Sequence, residues 1–121
     1  MSAHPAGHQV GTRLLFENDR VRIWEMVLQP NEESTRHEHA SDYLFVYSTH
    51  SKIAVFKEDG SDPEVSEEAP GFVQYTDVGS GVTHRVKNVG TGEHREILVE
   101  LKGPSRTSEP HEPETNETSV G

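Results

Sequence analysis

Apolar residues come in short bursts along this chain, and several bursts alternate with polar residues at a period of two. Val82-Thr83-His84-Arg85-Val86-Lys87 is the cleanest case. Successive side chains of an extended strand point to opposite faces, so Val82, His84 and Val86 share one face and Thr83, Arg85 and Lys87 the other. Runs rich in β-branched, aliphatic and aromatic residues recur at Leu14–Phe16, Val21–Leu28, Tyr43–Tyr47, Lys52–Lys57, Phe72–Thr76 and Arg95–Leu101. Turn chemistry separates them: Glu17-Asn18-Asp19, Gln29-Pro30-Asn31, Glu58 to Pro63, Pro70-Gly71, Gly79-Ser80-Gly81 and Asn88 to Gly92. No window carries a helical period with caps. Strands about 8–12 residues apart, with turns between, predict an all-β antiparallel sandwich or barrel.

The same parity assigns faces. In the last strand Ile97, Val99 and Leu101 are expected inside, with Glu96, Glu100 and Lys102 solvated. Val21–Leu28 is apolar on both faces, which predicts that its outer face is covered by another layer or a second subunit. Trp24 lies in that strand and reads as core or as a dimer contact. The ends differ in kind. Residues 1–10 read as a flexible arm, 11–103 as one folded domain, and 104–121, nearly devoid of apolar residues, as a disordered acidic tail.

Composition narrows the function. With 121 residues the chain supports a single domain with a real core. A net charge of −10 argues against nucleic acid or an anionic membrane as partner. The acids between Glu58 and Glu68 are expected to form a solvated loop. Cysteine is absent, which removes disulfides, thiolate metal sites and cysteine nucleophiles together. There is no signal-peptide pattern at the start and no run of the ~18 apolar residues a membrane span needs, so the expected location is cytoplasmic. No G-x-S-x-G, P-loop or glycine-rich dinucleotide turn is present.

Histidine is the candidate chemistry, at 8 residues. His37-Glu38-His39 is an H-x-H, and in a strand its two imidazoles share a face. His84 occupies the apolar face of its own strand. Two strands that both turn imidazole inward point to a shared metal ion held by His37, His39 and His84. His4, His8 and His111 fall in the polar ends, His50 in a loop and His94 just after a turn, and none of these is assigned to the site.

These residues carry a resemblance. Arg36-His37-Glu38-His39 with Tyr43 following, then Gly79-Ser80-Gly81-Val82-Thr83-His84 with Asn88 four residues on, resembles the two halves of the cupin signature over about residues 11–103. The resemblance implies a double-stranded β-helix (an antiparallel jelly-roll barrel), one divalent metal per subunit, a small-molecule substrate and a homodimer. Two positions depart from the pattern. Tyr43 stands where the family's carboxylate ligand falls, and strand parity points the adjacent Asp42 outward unless a bulge intervenes. The proline usual before the second histidine is replaced by Asp77 or Gly79. A three-histidine site results, similar to the subgroup that includes diketone-cleaving dioxygenases.

The resemblance to that subgroup implies iron(II) and an oxygenase acting on an enolisable, oxygen-rich molecule, and three neutral imidazoles, which leave the ion's double charge uncancelled, suit such an anionic ligand. Zinc, nickel or manganese in the same site is the alternative, with isomerase, lyase or hydrolase chemistry. A cupin that binds a metal or small ligand without turnover is the third reading. Tyr43 is the candidate catalytic side chain, its phenol facing metal or substrate; packing as a core aromatic is its other reading. Gln74, Tyr75 and Arg95 are candidates for the substrate pocket, set against a partnered amide, a core ring and a solvated guanidinium. Asn88 reads as a turn support.

Overall fold

The computed structural model describes residues 10–79 and 81–103, and the expectations for the remaining arm and tail residues lie outside these. Nine strands form two antiparallel sheets, with no helix among the described residues. They are β1 (Arg13–Glu17), β2 (Val21–Leu28), β3 (His37–His39), β4 (Tyr43–Tyr47), β5 (Ser51–Lys57), β6 (Glu64–Glu68), β7 (Val73–Thr76), β8 (Val82–Asn88) and β9 (His94–Leu101). One sheet has the order β1-β2-β9-β4-β7 and the other β3-β8-β5-β6. Most expected strands recur within a residue or two of their ends. Described residues contain no helix long and apolar enough to cross a membrane.

Two expectations fail. The acidic run was expected to be loop throughout, yet Glu64–Glu68 is the edge strand β6, paired with β5 from Ser51↔Glu68 to Val55↔Glu64. β6 is exposed along almost its whole length, so it needs no apolar alternation, and the charges on this edge strand discourage further pairing. Lys57 Nζ donates to Glu64 Oε2 at 3.0 Å across this pair.

The faces of β9 are inverted. His94, Glu96, Leu98 and Glu100 are buried, while Ile97, Val99 and Leu101 are only partly covered. β9 is central in its sheet, and its neighbours decide its faces: Trp24, Met26 and Leu28 of β2 lie opposite Leu98, Glu96 and His94, and Tyr43, Phe45 and Tyr47 of β4 lie opposite Glu100, Leu98 and Glu96. These large side chains fill the interior and carry the acids inward with them. Each acid is then held. Glu100 accepts from Trp24 Nε1 at 2.8 Å and from Arg22 at 3.3 Å, which offsets the cost of burying a carboxylate.

Trp24 packs in one end of the interior with Val10, Tyr43, Val78 and Leu98. Beside this cluster, between the sheets, is a cavity of about 410 Å³. Asn88 is fully buried and does hold a turn: its amide donates to Leu28 and Gly92 carbonyls, and its oxygen accepts from Gly90 N.

Candidate metal centre

The H-x-H is the whole of β3, and parity places both imidazoles inward, 2% and 1% exposed. β3 pairs with β8 so that His37 stands directly opposite His84. Gly81, at φ +124° in the turn entering β8, adopts a backbone that disfavours side chains, and an added Cβ would sit 3.2 Å from Glu38. That turn delivers His84 in register with β3.

The three rings form a symmetric set. Every pair of centroids is 4.8 Å apart, and the interplanar angles are 83°, 90° and 78°. Their ligand atoms lie within 4.8 Å of one another, and His39 Nε2 is 3.0 Å from His84 Nε2. Two nitrogens each about 2.1 Å from a common ion are separated by roughly that distance at a right angle. His37 Nδ1 faces the Thr35 carbonyl at 2.9 Å, which makes that nitrogen the donor and leaves Nε2 for a ligand role. His39 Nδ1 is buried with no hydrogen-bond partner among the described residues, so the polar attachment of this ring to them runs through Nε2 alone. Tyr43 stacks on its face at 3.9 Å and fixes its plane. The donor set therefore fits a divalent metal ion.

Burial keeps these rings neutral. It is the chief cause at all three: His37 is shifted down, His39 to about 2 with help from its two neighbours, and His84 to about 4 with help from His37. Burial also raises the Tyr43 phenol, so that ring is a neutral donor. A consequence can be measured. The unfolded chain binds protons at these imidazoles below about 6.5, while the folded metal-free cluster refuses them until lower pH. Stability of the metal-free protein should be complete above 6.5 and fall as pH drops from there towards 4. Urea melts across that range check this; stability that rises on acidification would mean the rings accept protons in place.

Of the other site candidates, Gln74 lines the cavity and Tyr75 and Arg95 do not. Tyr75 is on the outer face of its sheet, its hydroxyl 3.4 Å from Asp42 Oδ2. Arg95 also faces outward and bridges Glu25 at 2.8 Å and Glu93 at 3.2 Å. Both corrections follow from parity, since Gln74 and Glu96 take the inward positions beside them. Asp42 is buried rather than outward, but it accepts from Val78 N at 2.9 Å and is not in the metal cluster. His94 was set aside as a turn residue and is in fact a buried residue of β9, between Ser51 and Glu96. The signal lay in the spacing His94, Glu96, Leu98, Glu100, which shares one parity.

Solved structures share this architecture. A cupin domain from Bordetella pertussis Tohama I matches with a TM-score of 0.67 at 24% identity, over 84% of this chain and 100% of that one. An RmlC-like cupin with a double-stranded β-helix fold from Methanocaldococcus jannaschii gives 0.58 at 16%, over 89% and 94%. A polyketide cyclase from Streptomyces resistomycificus gives 0.52 at 19%, over 69% and 56%. No protein-family model matches the sequence, and no curated protein matches it. The fold is the cupin double-stranded β-helix, and its interior carries a three-histidine group able to hold a metal ion.

Proposed function

We propose that the protein is a mononuclear iron(II) oxygenase acting on a small, enolisable, oxygen-rich molecule. The observation that carries this reading is the set of three mutually perpendicular imidazoles, with no carboxylate among them, at a half-open cavity. An ion held by three neutral ligands retains its full double charge and supplies Lewis-acid and redox chemistry to a chelating anion. The chain's own residues suit such a substrate. Phe45, Tyr47 and Phe72 form flat apolar walls that accept a planar conjugated molecule. Tyr43, stacked on His39, offers a neutral phenol beside the metal ligands. Lys57, the one Lys or Arg lining the cavity among the described residues, is paired in the sheet opposite His84, with its ammonium bonded to Glu64 at 3.0 Å.

Oxygen uptake with pentane-2,4-dione, by protein reconstituted anaerobically with iron(II), tests this. Uptake that depends on iron supports it. Turnover without oxygen would replace it with a second reading, a zinc or nickel isomerase, lyase or hydrolase. The cavity carboxylate of Glu96 would serve that alternative equally, because proton transfer is its central step.

We also propose a homodimer. The outer face of the five-stranded sheet carries Ile23, Leu44, Val46, Ile97 and Val99, all only partly covered, beside Phe16 at 52% exposed. A second copy seated there would cover this strip. Val99→Glu at its centre should convert a dimer to a monomer by light scattering, with metal content unchanged. A wild-type protein that is already monomeric would overturn the proposal.

A further inference from the structure

β9 brings a second polar system to the cavity. Glu96 is 6% exposed and lines the same cavity as the three histidines. Its Oε1 is 2.7 Å from His94 Nε2, and Oε2 makes no hydrogen bond among the described residues. His94, at 1% exposure, places Nδ1 2.7 Å from Ser51 Oγ. Ser51 Oγ is in turn 3.2 Å from the Thr49 carbonyl and 3.0 Å from the Thr49 hydroxyl. Tyr47 packs edge-on against the imidazole and holds it in place.

This chain is satisfied in two protonation states. In the first, the Ser51 hydroxyl donates to His94 Nδ1, and His94 Nε2–H donates to the Glu96 carboxylate. In the second, the hydroxyl turns to the Thr49 carbonyl and accepts from Nδ1–H, while one proton is shared between Nε2 and Oε1. The second state holds one more proton than the first, and no buried polar group loses its partner. Rotation of one hydroxyl makes the difference.

We propose that Glu96, backed by His94, is the group that takes the proton from carbon when a 1,3-dicarbonyl or similar substrate enters the cavity as its enolate. The proton on the carbon between the carbonyls moves to Glu96, and the C–H electron pair spreads over the two carbonyl oxygens. Neither oxidant nor reductant is consumed. Glu96 touches substrate in this step; His94 and Ser51 are positioning residues. The inference rests on the site's reading as a binder of enolisable substrates.

Its test counts protons. Iron(II)-loaded protein is titrated with pentane-2,4-dione without oxygen, by calorimetry at neutral pH in buffers of different ionisation heat. Uptake by Glu96 predicts almost no net release to buffer from the wild type and about one proton per diketone from Glu96→Gln, with metal stoichiometry equal in both. The wild-type measurement stands alone should the variant not fold: release of about one proton there overturns the proposal. So does a variant that matches a wild type releasing none. If the loaded wild type binds no diketone, the substrate reading of the site fails, and this inference with it, whatever the proton count.

Discussion

Replacing His84 with alanine should remove the metal and leave the barrel standing. Two imidazoles cannot complete the three-ligand set, and among the described residues neither Asp42 nor another carboxylate belongs to the cluster. The loss in affinity should exceed about 100-fold, the upper range for losing only a residue that supports a ligand. Stability of the metal-free protein should fall by about 1–3 kcal/mol, because the buried His39 ring loses the hydrogen bond that its Nε2 makes to His84 at 3.0 Å. Elemental analysis beside a thermal melt reads both quantities. Metal retained by His84→Ala would dismantle the three-histidine centre.

Replacing His94 with alanine should do the reverse. Metal stays, because His94 is outside the cluster, and the fold weakens severely. Glu96 would keep a buried charge with its one partner gone, and Ser51 would lose its imidazole. Breaking a buried pair from one side costs about 3–5 kcal/mol, a large part of the stability of a domain this size. Urea unfolding measures the loss. Adding Glu96→Gln to the alanine variant should recover part of it, since an uncharged amide is cheaper to bury alone. A loss below about 1 kcal/mol, within the range of ordinary surface changes, would show that water reaches Glu96 and that the network is not sealed. Equal metal loss from the two alanine variants would mean that the third ligand is not His84.

The centre itself was readable from residue spacing. An H-x-H on one short strand puts its two imidazoles on one face by local parity, and Val82 and Val86 mark the face of His84 as the apolar one. Parity is a property of the backbone and needs no neighbour to enforce it. The strand β6 was not readable in that way. Glu64–Glu68 has the composition of a loop, and it is extended because the free edge of β5 offers it hydrogen bonds, which is a demand made by another segment.

Parity alone also misplaced β9. Alternation says which residues share a face and never which face is inside; hydrophobicity usually answers, and here it points the wrong way. Ile97, Val99 and Leu101 lie on the outer face of the sheet, while Glu96 and Glu100 are inside with partners from β2, β4 and the start of β9 itself. Tyr75 lies outside the cavity because order along the chain carries no parity, and Arg95 is the solvated guanidinium of its other reading.

What the amino-acid order settled by itself is therefore the local part: an all-β chain, the places where it turns, and three imidazoles presented inward from two strands. Those follow from backbone geometry over two to six residues. What only the tertiary structure decided is which acids are buried, that His94 and Ser51 stand behind Glu96, and that these polar groups share a cavity with the histidines. Such placements depend on the register between strands far apart in the chain, and on burial costs that a partner some 40 residues away can cancel.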